Sequence, residues 1–476
     1  MFFNKQDKNA FAAIQDNGEC ITYNQLKEAS QSMSGQIPKR SLVFSLCENS
    51  IGSLVGYTSF LDNQIVPLLL DSGLDQELLA HLIEVYQPGY LWVSDQKKAD
   101  LLKQHPEYHQ TLEAYNYTLL KTTYEPSPLY EDLALLLTTS GSTGSPKLVR
   151  QSYKNIQSNA EAIVEYLEIT DRERPITTLP MNYTYGLSII NSHLYKGATI
   201  LLSNKGLMQK EFWTFFKKEE ATSFGGVPYT YEMLKRLRFF RMDLPSLKTM
   251  TQAGGKLSPE LHKEFAQYAQ EHQKRFYVMY GQTEATARMS YLPYKDSLRK
   301  YGSMGIAIPG GKFSLIDVDE KEITEPEITG ELVYQGPNVT LGYAEEREDL
   351  AKGDENNGIL TTGDMAKRDK DGYYYIVGRK KRFIKIFGNR VNLDETERML
   401  KTAFEDMECA CSGVDDKMKI YITDETKKEI VKKYVSEKTG IHFSAFDVKH
   451  ISEIPKNEAG KTLYIKLEET VNALID

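Results

Sequence analysis

The chain has 476 residues, 41% of them apolar and 26% charged, with a net charge of −8 from 58 basic and 66 acidic side chains. At about 150 residues per domain the length allows roughly three units with a large buried core, which excludes a disulfide-stapled miniature, a collagen-like chain and a disordered chain, while the acidic balance argues against a general nucleic-acid binder. Four cysteines, Cys20, Cys47, Cys409 and Cys411, are too few for a disulfide framework and suit a cytoplasmic protein in a reducing compartment.

The N-terminal stretch MFFNKQDKNAF has no secretory apolar region. Leu42 to Cys47 reads as a buried strand, Ile51 to Leu61 as a helix and Ile65 to Leu70 as the next strand. That last run, among the longest apolar ones, is far short of the ~20 residues that span a bilayer, so no membrane span is expected. Gln76 to Tyr86 is an amphipathic helix and Tyr90 to Ser94 a strand. The alternation predicts an α/β architecture with a largely parallel sheet. It recurs at Ile200–Leu202, Lys210–Glu219 and Ser223–Gly226. After about residue 300, Gly and Asp become frequent and short β runs dominate: Phe313–Val318, Glu331–Tyr334 and Tyr373–Val377. They predict a separate β-rich subdomain. The basic cluster Gly378-Arg379-Lys380-Lys381-Arg382 marks a boundary, and beyond it lies a Lys- and Glu-rich stretch of mixed helix and strand. Cys409 and Cys411 form a C-x-C pair with no second pair, a poor metal signature.

The most informative segment is Leu133 to Lys147, LALLLTTSGSTGSPK. An apolar strand enters a loop of small, hydroxyl-bearing residues that ends in Pro-Lys. Gly and Ser let many backbone N–H groups approach a polyphosphate, and Lys147 adds a cation. Pro146 and Leu148 break the Walker pattern, and no dinucleotide G-x-G-x-x-G is present. Taken alone, such a stretch is more often a plain surface loop.

It is not alone. Thr139 to Lys147 resembles the signature of the AMP-forming, acid-activating superfamily of acyl-CoA synthetases, peptide-synthetase adenylation domains and firefly luciferase. Further segments resemble that family's motifs in its order: Leu179–Gly186 (LPMNYTYG), Ala253–Glu260 (AGGKLSPE), Tyr280–Glu284 (YGQTE), Thr362-Gly363-Asp364, Gly378–Gly388 (GRKKRFIKIFG) and Asn457–Lys461 (NEAGK). The resemblance covers nearly the whole chain. It implies a large N-terminal body, residues 1–380, of packed mixed αβ subdomains plus the β-rich subdomain, and a small mobile α+β cap, residues 381–476.

The resemblance also implies roles. Thr139, Ser140, Gly141, Ser142, Thr143, Gly144 and Lys147 would hold the β- and γ-phosphates of ATP. Thr283 would donate to the α-phosphate, and Glu284 would help hold Mg²⁺, a hard cation suited to carboxylate and phosphate oxygens. Tyr280, with Gly281 beside it, would stack on adenine, and Gly254 and Gly255 would admit the base edge to the backbone. Asp364 and Arg379 would contact the ribose. Lys461 would bridge the attacking carboxylate and the α-phosphate, because anion approaching anion needs fixed positive charge. The family usually has Ile or Val after this lysine; here Thr462-Leu463-Tyr464 follow. Lys381 stands at the family's hinge.

The pocket segment fixes less. Enzymes that activate α-amino acids usually carry an Asp after Phe here; this chain has Asn182-Tyr183-Thr184-Tyr185, closer to the aryl- and acyl-CoA ligase version, with Tyr183 in place of a common His. Neutral small carboxylic acids are therefore favoured, with Tyr183, Tyr185, Gly186, Gly226 and Val227 lining the pocket, although aromatic residues here equally suit a plain core. Ile384 to Val391 resembles the peptide-synthetase form instead, with Phe387 for its usual Arg. The thiol acceptor is thus CoA, or the phosphopantetheine of a carrier protein. The sequence stops soon after Lys461 with no carrier segment, so a carrier is expected to be a separate protein. Among rivals, serine hydrolysis lacks a G-x-S-x-G elbow, and His105-Pro-Glu-Tyr-His109 is not H-E-x-x-H. An inactive ligand-binding homologue is disfavoured by the presence of Thr283, Glu284, Asp364 and Lys461.

Overall fold

The computed structural model describes residues 9–138, 147–387, 389–456, 462–464 and 466–467. The chain divides into two compact units. One comprises the residues up to Lys312 with Tyr334–Leu360, the other Phe313–Val333 with the chain from Thr361 onward.

In the first unit, Leu42–Cys47 is buried along its whole length and pairs in parallel with Val66–Asp71 on one side and Tyr90–Ser94 on the other. Strands covered on both faces read as unbroken apolar runs, which explains why Leu-Val-Phe-Ser-Leu-Cys shows no alternation. Leu133–Thr138 continues the parallel run beyond Val66–Asp71. The edges are antiparallel: Leu148–Ser152 and Gly342–Ala344 on one side, Tyr117–Lys121 and His109–Ala114 on the other. The expectation of a parallel sheet holds for the centre.

Helix Ile51–Asp62 lies against this sheet, buried from Ile51 to Leu61. Its glycines allow a close approach. A Cβ on Gly56 would sit 2.3 Å from Trp92 Nε1. The Trp92 indole N–H donates to the Gly52 carbonyl at 3.0 Å. Helix Gln76–Tyr86 starts where Asp75 Oδ1 accepts from Glu77 and Leu78 N–H groups, and stops at Gln87, whose φ of 48° precedes Pro88.

The second sheet has nine strands among the described residues. Its parallel core runs in the order Arg275–Tyr280, Thr249–Gln252, Ser223–Gly226, Pro175–Ile176, Ile200–Leu202, Phe11–Gln15. Open parallel sheets present their ligand crevice beyond the carboxyl ends of the strands. From those ends leave Val227, the Ala253-Gly254-Gly255 segment and the Gly281–Glu284 segment.

The second unit centres on a four-stranded sheet ordered Lys312–Ile316, Thr329–Gln335, Ile359–Arg368, Tyr374–Arg379. A short hairpin, Phe383–Ile386 with Asn389–Asn392, leads into a three-stranded sheet of Cys409–Val414, Lys417–Ile422 and Phe446–His450. Helices Leu393–Ala403 and Lys428–Thr439 supply Leu400, Val431 and Val435 to its core, where Cys409 and Cys411 are buried. Burial pushes the Cys409 thiol up to about 12, the behaviour of a core residue rather than a reactive thiolate. All four cysteines are free. Among the described residues no helix is long and apolar enough to cross a membrane.

Candidate active site

The hydroxyl-rich loop joins two antiparallel strands, with Thr138 paired to Leu148 across its base. Thr139, Ser140, Gly141, Ser142, Thr143 and Gly144 lie outside the described residues. Lys147 stands at the foot of the loop, half-buried. Its Nζ lies 3.7 Å from the centroid of the Tyr343 ring and 3.4 Å from Glu345 Oε1.

The Tyr280–Glu284 segment leaves the end of a central parallel strand. A Cβ on Gly281 would fall 1.8 Å from the Ala287 carbonyl oxygen, so the chain crosses itself there with room for glycine alone. The Gln282 side-chain amide donates to the Tyr280 hydroxyl at 3.2 Å. Thr283–Ala285 forms one 3₁₀ turn. Thr286 follows with φ 65° and ψ −61°, and the Ala287 N–H donates to the Ala285 carbonyl at 2.7 Å. That is a γ-turn in its strained, positive-φ form. It is tied down by its neighbours: the Thr286 hydroxyl donates to the Asn338 carbonyl at 2.7 Å, and the Thr184 hydroxyl donates to the Thr286 carbonyl.

Glu284 is half-buried. Its Oε1 accepts from the Tyr343 hydroxyl at 2.7 Å, and its carbonyl accepts from the Thr340 N–H at 3.0 Å and hydroxyl at 2.9 Å. Burial and the Glu284 carboxylate both push the Tyr343 phenol well above its ordinary range, so it stays a hydrogen-bond donor. Among the described residues nothing engages Glu284 Oε2 or the Thr283 hydroxyl. Lys147, Tyr343 and Glu284 thus form a chain from cation to ring to carboxylate.

The pocket segment meets the glycine segment. Gly254 has φ +81°, and a Cβ there would lie 2.6 Å from Tyr183 Oη and 3.0 Å from Val227 Cγ1. Gly255 is packed against Pro228. Tyr183 precedes helix Thr184–Lys196, and its ring meets that of Tyr185 edge to face at 6.4 Å. The Tyr185 and Thr251 hydroxyls are 2.8 Å apart. Gly186 approaches the Pro180 carbonyl, and Gly226 abuts Thr230, each closer than a side chain would permit. Among the described residues, two buried acceptors in these segments, Asn182 Oδ1 and Gln252 Oε1, have no hydrogen-bond partner.

In the second unit, Asp364 and Arg379 face each other across neighbouring strands. Arg379 Nε lies 3.8 Å from Asp364 Oδ1; the aspartate is buried and the arginine exposed. Lys381 lies in the 3₁₀ turn Lys380–Arg382. Next to it, Arg382 is held by Asp394 and Glu397, and its guanidinium lies 4.0 Å from the Tyr464 ring centroid. Lys461 lies outside the described residues. The chain on either side of it is closed by an antiparallel bridge between Lys456 and Thr462, with the Leu463 N–H donating to the Pro455 carbonyl at 2.8 Å.

Residues 3–344 match the family model of the AMP-binding enzymes. The chain belongs to the AMP-binding enzyme family. A curated relative, the peroxisomal OPC-8:0-CoA ligase 1 of Arabidopsis thaliana, is 30% identical over 351 residues, covering 70% of this chain and 63% of that one. The chain spans between 55% and 65% of the length of the curated relatives it matches. Among solved structures, ATP-bound MatB from Rhodopseudomonas palustris superimposes with a TM-score of 0.78 at 22% identity, covering 100% of this chain and 98% of that one. The o-succinylbenzoate CoA synthetase of Bacillus subtilis, in complex with its acyl-adenylate intermediate, gives 0.77 at 21% identity over 97% and 95%. The α/β fold, with its large N-terminal body and smaller C-terminal region, is that of the adenylating enzymes.

Within this family framework the first unit brings together Tyr183, Tyr185, Val227 and Gly254, and separately Lys147 and Glu284. Asp364, Arg379 and Lys381 belong to the second unit. The sequence reading missed Tyr343 and Glu345, the partners of Lys147, because nothing local marks them. It also missed Arg288, for which a signal existed: a lone cation in the otherwise uncharged run Ala287-Arg288-Met289-Ser290-Tyr291.

Proposed function

We propose that this chain is an AMP-forming acid–thiol ligase. A carboxylate oxygen attacks the α-phosphorus of ATP, pyrophosphate leaves, and the acyl-adenylate then passes its acyl group to a thiol with release of AMP. The observation that carries this reading is the Lys147–Tyr343–Glu284 arrangement, which sets a phosphate-binding cation and an acidic side chain on one ring at the foot of the hydroxyl-rich loop. Lys147 and the loop hold the outer phosphates, and Thr283 offers an unengaged hydroxyl to the α-phosphate. The free Glu284 Oε2 fits a single carboxylate ligand of Mg²⁺, which when bound supplies positive charge to the departing pyrophosphate. Tyr280 packs against the adenine. In the second unit Asp364 and Arg379 take the ribose hydroxyls, and Lys461 balances the charge of the attacking carboxylate.

Small carboxylic acids without an ammonium group are the substrates, since Asn182-Tyr183 offers no carboxylate to pair one. CoA is the acceptor. The phosphopantetheine of a separate carrier protein is the second reading, favoured by the Ile384–Val391 hairpin, whose tip exposes Phe387. Residues 381–476 act as the cap that turns about Lys381 between the two half-reactions, and the enzyme works in the reducing cytosol, a reading that the four free cysteines support. The test is pyrophosphate release with a panel of carboxylic acids, followed by mass spectrometry of the product formed with CoA and, separately, with a carrier protein. Acid-independent phosphate release would refute the reading.

A further inference from the structure

Among the described residues, Arg288 is a buried positive charge without a counter-charge. Only 2% of the residue is exposed. Its Nε donates to Ser188 Oγ at 3.1 Å, and its Nη1 to the Tyr166 hydroxyl and Met279 Sδ, both at 3.1 Å. Its Cζ lies 4.9 Å from the Tyr185 ring centroid. All four neighbours are neutral. Among the described residues no carboxylate pairs with it, and Nη2 takes part in none of these bonds. A guanidinium does not neutralise itself by losing a proton, and burying a charge is costly unless an opposite charge meets it.

Two other arginines among the described residues, one buried and one largely so, show how the chain meets that cost. Arg150, fully buried, is paired with Glu355, and Arg382 with Asp394 and Glu397. Arg288 has no such partner among the described residues, and it touches the proposed acid pocket at Tyr185. Tyr185 and Ser188 lie on the helix that follows Tyr183, and Met279 precedes Tyr280 on its strand. The backbone is anchored, since the Arg288 carbonyl accepts from the side-chain amides of Asn159 at 2.8 Å and Asn338 at 3.1 Å. The nearby His193 adds no second cation, because burial, and secondarily the Arg288 charge, lower its pKa to about 4.

We propose that the acid activated by this enzyme carries a second anionic group, a carboxylate in the simplest case, and that Arg288 binds it through the free Nη2 edge. The inference rests on the ligase reading and narrows its substrate class from simple neutral-tailed acids to dianionic ones. Arginine suits the task because its planar fork matches a carboxylate.

The experiment uses matched acids: hexanoate with adipate, and 3-phenylpropionate with 3-(4-carboxyphenyl)propionate. Pyrophosphate release and calorimetric binding are measured for the wild type, Arg288→Met and Arg288→Lys. The dianionic member of at least one pair should be preferred by the wild type at least tenfold in kcat/KM. Arg288→Met should lose about 100-fold on that member while keeping or gaining activity on its neutral-tailed partner, with partial recovery in Arg288→Lys. A wild type that prefers the neutral-tailed member of both pairs overturns the proposal, as does an equal loss on both members in Arg288→Met. If that variant does not fold, the wild-type preference decides alone. If no acid releases pyrophosphate, the ligase reading fails; the anion site then stands on calorimetric binding of a dianion by the wild type, and falls if neither dianion binds.

Discussion

The Tyr343 hydroxyl donates to Glu284 Oε1 at 2.7 Å while its ring carries the Lys147 ammonium on one face, 3.7 Å from the centroid. One side chain thus orients both the acid expected to meet Mg²⁺ and the cation expected to meet phosphate. Tyr343→Phe keeps the ring and removes the hydrogen bond. Losing one bond to a charged group costs about 1.5–3 kcal/mol. Acid-dependent ATP–pyrophosphate exchange should therefore fall about tenfold or more, with a raised Mg²⁺ requirement. A magnesium titration of the variant checks this; a Mg²⁺ requirement matching the wild type would show that Glu284 needs no such orientation.

Gly281 predicts a sharper effect. A methyl group there would lie 1.8 Å from the Ala287 carbonyl oxygen, in backbone that cannot swing aside. Gly281→Ala must displace the strained Thr286 turn and with it Thr283 and Glu284. Overpacking of this kind costs about 1–3 kcal/mol, so the melting temperature should drop. Exchange activity should be nearly abolished in the fraction that stays folded. Full activity at a lowered melting temperature would separate the turn from the chemistry.

Acid should destabilise the fold through two buried histidines. Burial lowers the pKa values of His193 and His262 to about 4 from the ordinary 6.5. His262 is fixed as neutral, its Nδ1 accepting from the Gly302 N–H at 3.1 Å and its Nε2 lying 3.0 Å from Ser297 Oγ. As pH falls below 6.5 the unfolded chain gains these protons and the folded chain does not. Stability is therefore lost between pH 6.5 and about 4, and this contribution levels off below that. At pH 5 each histidine should cost about 2 kcal/mol relative to pH 7. Urea midpoints at the two pH values, compared between the wild type and a His262→Gln variant, measure it; identical pH dependence would remove His262 from the account.

Lys381→Pro tests the proposed hinge. Proline fixes φ, so a rotation about this residue would be blocked. Adenylation should survive within about threefold while thioester formation falls by tenfold or more, since conformational steps often gate turnover. Single-turnover assays of each half-reaction read the two separately. Equal loss in both would locate the motion elsewhere.

Local signals were legible where one period dominates. Gln76–Tyr86 and Tyr90–Ser94 have in the structure the bounds read from the sequence. The hairpin between His109–Ala114 and Tyr117–Lys121 was not, because its turn puts Tyr115 and Asn116 at φ 52° and 62°, where the usual turn sequence is Asn-Gly. Leu148–Ser152 escaped for a different reason. Arg150 and Gln151 look unsuited to a buried strand, and the groups that satisfy Arg150, Glu355 and the carbonyls of Leu341, Tyr343, Lys352 and Gly353, lie about 200 residues away. Motif residues announce themselves because their spacing is set by one loop. Tyr343 and Arg288 acquire meaning only when distant strands meet, which no local pattern encodes.

The most direct measurement follows the phosphates. ATP labelled in the γ-phosphate is incubated with the enzyme, Mg²⁺ and each acid of the panel, for the wild type and Lys461→Ala. The account predicts that label appears in pyrophosphate, only when an acid is present, and that Lys461→Ala abolishes this while still converting a presynthesised acyl-adenylate to thioester. Label released as inorganic phosphate, or acid-dependent exchange unchanged in Lys461→Ala, would contradict it.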